Sequence, residues 1–145
     1  GGGRAHLVVD VTADYVADES RGTIDLITIE RLLDTRLADG PTSGAKVAGG
    51  ATQEVQVGGE AGIDADAPAV TLNVTVVDPE AIGFVTVYPC GSDLPLASNI
   101  NYAPGQTVAN SVTTSLGADG TVCVYTLSTA HIVVDADLAM SLPID

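Results

Sequence analysis

The chain's two histidines stand in one repeated context: Ala5-His6-Leu7-Val8-Val9-Asp10 and Ala130-His131-Ile132-Val133-Val134-Asp135. An imidazole near a carboxylate can act as a general base or a metal ligand, but hydrolysis also needs a positioned nucleophile. No Gly-x-Ser-x-Gly elbow is present to supply one. Each histidine instead opens an apolar, β-branched run, the setting of a strand-end residue. No base–nucleophile constellation emerges, and the expectation is that the protein is not an enzyme.

Other residues could carry binding chemistry. Cys90 and Cys123 are 33 positions apart. An even pair in a secreted chain reads as a disulfide, with two buried thiols as the alternative. Metal binding by the pair is disfavoured, because no Cys-x-x-Cys spacing exists. Arg31, Asp34 and Arg36 put two of five cationic residues in one short run. A planar guanidinium holding a carboxylate would pin a strand end, and the same groups could recognise an anion or a sugar.

Carboxylates recur at Asp64/Asp66, Asp78/Glu80, Asp14/Asp18/Glu19 and Asp135/Asp137. None has EF-hand spacing, and Asp64 with Asp66 beside glycine-rich chain is the candidate Ca²⁺ pair; no other cofactor is expected. Asn73-Val74-Thr75 is a formal glycosylation triplet inside an expected strand. Asn99, Asn101 and Tyr102 form a polar and aromatic cluster that could contact a glycan or shape a turn.

The elements that must position these groups are short and extended. Ala69–Val77 alternates Val70, Leu72, Val74 and Val76 with Thr71, Asn73 and Thr75, the period-2 pattern of a half-buried strand. Strands are also expected at His6–Val11, Thr52–Val57, Gly83–Tyr88, Asn99–Tyr102, Thr107–Thr114, Thr121–Thr126 and His131–Asp135. Asp119-Gly120 is a hairpin signal, since glycine readily takes positive φ. Ile24–Leu37 fits helical and strand spacing equally. The pattern predicts an all-β fold, an antiparallel β-sandwich of the jelly-roll or immunoglobulin-like class. Its N-terminal strand repeats its C-terminal one.

The repeat, offset by 125 residues, involves both histidines of the chain. It has two explanations. Both copies are similar edge strands of one sandwich, or one strand of a repeating module occurs twice. In the second case residues 1–22 are an arm carrying a spare strand, and residues 23–145 are the sandwich domain. The spare strand, His6, Leu7, Val8, Val9, Asp10 and Val11, matches His131, Ile132, Val133, Val134 and Asp135. It would then need a sheet edge in its own domain or in a neighbour.

Composition limits the partners. With 19 acidic and 5 basic residues the net charge is −14, which argues against nucleic acid and anionic membrane surfaces. No apolar run reaches the roughly 18 residues needed to span a bilayer, so no membrane insertion is expected.

The succession Arg31-Leu32-Leu33-Asp34-Thr35-Arg36, Leu72-Asn73-Val74-Thr75 and Gly83-Phe84-Val85-Thr86-Val87-Tyr88-Pro89-Cys90-Gly91 forms a specific order of motifs. It continues through Ala97-Ser98-Asn99-Ile100-Asn101-Tyr102, Gly105-Gln106-Thr107-Val108-Ala109-Asn110 and His131–Asp135. Across nearly the whole chain this resembles a repeat module of secreted actinobacterial proteins, found in tandem or appended to cell-wall and polysaccharide hydrolases. The resemblance implies an extracellular or cell-surface location and a β-rich fold, and it supplies no catalytic residues. It also implies that the His-x-Val-Val-Asp strand ends a module. Ala136–Asp145 departs from the usual aromatic tail. The expected role is a structural subunit that joins copies of itself head to tail by strand addition, with a cell-wall or extracellular polysaccharide-binding adhesion module as the alternative.

Overall fold

The computed structural model describes residues 23–141. The expected arm, with its strand His6–Val11, lies outside the described residues. Eight strands follow one another in the described chain: β1 (Thr23–Asp34), β2 (Thr52–Gln56), β3 (Ala69–Val77), β4 (Gly83–Pro89), β5 (Ile100–Tyr102), β6 (Thr107–Ser115), β7 (Thr121–Thr126) and β8 (His131–Ser141). No helix occurs among the described residues. The strands form two antiparallel sheets, ordered β1-β8-β3-β6 and β2-β7-β4-β5. The fold is an all-β sandwich, as the alternation predicts.

The core follows from that alternation. Val70, Leu72, Val74 and Val76 of β3 are completely buried, as are Val85 of β4, Val122 and Val124 of β7, and Ile132 and Val134 of β8. They join one apolar cluster. Burying each such side chain stabilises by roughly 1.5–3 kcal/mol. With a single phenylalanine and no tryptophan, these branched aliphatic residues fill the interior. Tyr102 is an aromatic exception at 4% exposure. A Cβ at Gly83 would lie 2.7 Å from the Tyr102 hydroxyl, so glycine there makes room for the ring.

The ambiguous stretch Ile24–Leu37 resolves as β1, and its register explains the ambiguity. From Leu26 to Glu30 the strand takes four steps while β8 takes two, from Leu138 to Ala136; from Arg31 to Leu33 it takes two while β8 takes one. Each surplus residue turns the following side chains to the other face. Ile29 is therefore 70% exposed while Leu33 is buried. β8 runs to Ser141, beyond the expected end at Asp135. One surplus residue, Asp137, sits at the shift where Thr71 pairs Leu138 and Leu72 pairs Ala136.

The hairpin expected at Asp119-Gly120 is not a hairpin. Gly120 does take positive φ, 71°. However, β6 and β7 lie in different sheets, so the turn crosses the sandwich. Contacts to the chain after β2 hold it: Val57 and Gly58 donate their backbone N–H groups to the Gly120 carbonyl, and Gln56 Nε2 donates to the Asp119 carbonyl.

Of the two copies of the repeated strand, the one at His131–Asp135 pairs on both sides. Asp135 sits opposite Arg31 of β1 and Asn73 of β3. It is an interior strand, so the explanation of the repeat as two edge strands does not hold for this copy.

Candidate functional site

Arg31, Asp34 and Arg36 meet at the end of β1. The Asp34 side chain is only 4% exposed. It accepts hydrogen bonds from Arg36 Nη2 at 2.6 Å, Arg36 Nε at 2.8 Å, the Arg36 backbone N–H at 3.1 Å and Arg31 Nη1 at 3.1 Å. Arg31 also donates through Nε, at 2.8 Å, to Asp135 of β8. Hydrogen bonding from Arg36 and the two guanidinium charges hold the Asp34 carboxyl well below the usual carboxylate range. Both arginines are thus already engaged with carboxylates of the chain itself, and the cluster works as a clamp between β1 and β8. The part played by Asp135 was not foreseen, although its position opposite β1 follows once the register is known.

Thr35, next in sequence, is fully buried. Its Oγ1 accepts the Ile132 backbone N–H at 3.0 Å and shares a 3.1 Å hydrogen bond with His131 Nδ1. The Thr42 hydroxyl in turn donates to the Thr35 carbonyl. His131 therefore anchors the start of β8, as a strand-end histidine does. Nearby, Lys46 Nζ lies 2.8 Å from Asp78 and 3.6 Å from Glu80. The hydrogen bond to Asp78 raises the lysine and lowers the aspartate from their ordinary values.

Cys90 and Cys123 form a disulfide. It joins the residue following β4 to the neighbouring strand β7, in the same sheet. Such bonds persist in oxidising surroundings.

Asn99, Asn101 and Tyr102 do not form one exposed surface. Asn99 Oδ1 accepts the Val87 backbone N–H at 2.7 Å, and the Tyr102 hydroxyl bonds Thr126 Oγ1 at 2.8 Å. Only Asn101 is exposed. The expected glycan contact is corrected here, because a buried ring cannot stack on a sugar. Asp64 and Asp66 are both exposed. Among the described residues, the grouping of three donors close enough to share an ion is Glu54 with Cys90 and Cys123, whose sulfurs the disulfide consumes.

Two surfaces were not foreseen. One is an apolar groove of about 360 Å³ lined by Phe84, Leu94, Pro95, Leu96, Ala97, Ser98 and Tyr125. The Phe84 and Tyr125 rings lie 6.0 Å apart at 44°. Leu94-Pro95-Leu96 in a loop was its sequence signal. The other is the outer edge of β6, which among the described residues pairs with β3 alone, in unbroken register over nine residues. It carries no charged residue, proline or glycine.

The chain matches no protein family and no curated protein.

Proposed function

We propose that this protein is an extracellular structural module that joins copies of itself head to tail by adding a terminal strand to a neighbour's sheet. One observation carries the proposal. The sequence His131–Asp135 forms a strand paired on both sides, and nearly the same residues recur at His6–Asp10. The second copy has the composition of a strand built for a ladder, yet its equivalent place between β1 and β3 is already filled by β8. Strand addition satisfies such a segment through main-chain hydrogen bonds. A head-to-tail contact of this kind propagates unless its rotation closes a ring. The disulfide supports an oxidising, extracellular setting. A carbohydrate-binding role draws no support from Asn99 or Tyr102, whose polar atoms serve the fold.

Deleting Gly1–Asp14 tests this. The full chain is expected to give filaments or large oligomers by electron microscopy and light scattering, and the shortened chain only monomers. Added salt is expected to promote assembly, since each copy carries a net charge of −14 and salt screens the repulsion. Unchanged assemblies after the deletion would reject the mechanism.

A further inference from the structure

We infer that the acceptor for this strand is the open edge of β6, and that the strand it receives is His6–Val11 of a second copy, added antiparallel. The inference rests on the self-assembly proposed above and names the surface that completes it.

Among the described residues the two sheets leave four edges, and three of them are blunted. β1 is interrupted by two register shifts and carries the exposed charges Glu30 and Arg31. β2 has five residues, with Glu54 at its centre, and β5 has three. Short strands, bulges and charges are the means by which natural sheets prevent edge pairing. β6 has none of them over nine residues. In a chain of net charge −14 it is also an uncharged stretch, where two acidic copies approach with little repulsion.

The backbone of β6 is oriented to receive a strand. Asp78 donates its N–H to the Gln106 carbonyl at 2.9 Å, one step beyond the Val77–Thr107 pair and in the same register. Hydrogen-bonded and non-hydrogen-bonded pairs alternate along an antiparallel ladder. Val108, Asn110, Val112 and Thr114 therefore bond β3, while Thr107, Ala109, Ser111, Thr113 and Ser115 point their N–H and C=O groups to the open side. No backbone partner for these groups occurs among the described residues.

Topology favours a strand from another molecule. Thr23 pairs Ser141, while Ala69 pairs both Met140 and Ser115, so β1 begins at the end of the sheet where β6 finishes. An arm reaching β6 of its own chain comes from that end and lies parallel to β6 unless it doubles back. Parallel pairing is slightly weaker per residue, and both sheets here are antiparallel throughout. A neighbour's arm meets no such constraint.

The test uses the full chain and the variant Ser111→Pro, which removes one outward N–H and leaves the bonds to β3 in place. Proline is tolerated at such edge positions. Ser111→Lys is the second variant, and circular dichroism with thermal melting verifies that both fold. Hydrogen exchange of the Ala109, Ser111 and Thr113 amides is expected to slow by roughly tenfold or more when the native chain assembles. Both variants are expected to stay monomeric. If they assemble like the native chain while deletion of Gly1–Asp14 prevents assembly, β6 is not the acceptor, although self-assembly by the arm stands. If these amides are protected in a monomer, the arm docks on its own chain and the second copy is overturned. A full chain that stays monomeric with these amides unprotected overturns both proposals.

Discussion

Replacing Cys90 and Cys123 together by alanine is expected to lower the unfolding free energy by about 3–4 kcal/mol. The bond closes a loop with a sequence separation of 33. In the chain-entropy view, cross-linking removes conformations from the unfolded ensemble, and a loop of this length gives a stabilisation of roughly that size. The loop it closes contains β5 and β6, which lie in different sheets, so the bond limits the unfolded separation of two elements the fold must bring to opposite layers. For a domain of this size the loss corresponds to a fall in melting temperature of roughly 10 °C. Urea titration of the native and doubly substituted chains measures it. A change below about 1 kcal/mol would show that the unfolded chain is already nearly as restricted without the bond as with it.

Asp34→Ala is expected to cost about 2–3 kcal/mol, because it removes four charge-assisted or backbone hydrogen bonds at one buried carboxylate. The arginines it releases are about half exposed, so they regain water and the loss stays below that of breaking a fully buried pair. The same carboxylate makes stability depend on pH. Its folded-state pKa is lowered from the ordinary value of 3.8, chiefly by hydrogen bonding from Arg36. The unfolded chain thus takes up the proton first as pH falls. The contribution is complete above about pH 5 and is lost progressively as pH drops through 3.8 toward the lower folded-state value. Denaturant titrations at pH 7 and pH 3 should show a smaller native–variant difference at pH 3. An equal difference at both would assign the effect to packing rather than charge.

The parts of this fold that were legible in the sequence are those with uninterrupted period-2 alternation. β3 is the clearest, because Val70, Leu72, Val74 and Val76 keep one face throughout. β1 was illegible because three surplus residues, at two register shifts, break its alternation, which no fixed period can describe. Asp119-Gly120 was read correctly as a turn and wrongly as a hairpin, since local chemistry sets the turn while the packing of the two sheets decides where the next strand goes. The Arg31–Asp34–Arg36 grouping was visible as a charge cluster, whereas Asp135 enters it only through the β1–β8 register. Tyr102 looked like a surface aromatic because it is flanked by polar residues. Its burial depends on the space at Gly83, a contact 19 positions away. The repeated His-x-Val-Val-Asp strand was the most informative motif, but its meaning changed once β8 proved to be an interior strand.

The pairing of Thr23 with Ser141 has a mechanical consequence. The described module's first and last strands are neighbours, and their outer ends meet at one pole of the sandwich. Tension applied through those two residues would not slide the strands past each other with all their hydrogen bonds loaded at once. It would part the β1–β8 ladder one rung at a time, as a zip opens. Single-molecule pulling between these positions should find a low, nearly constant force for this step until the Arg31–Asp135 clamp takes the load. A single high force peak at the first rungs would contradict that geometry.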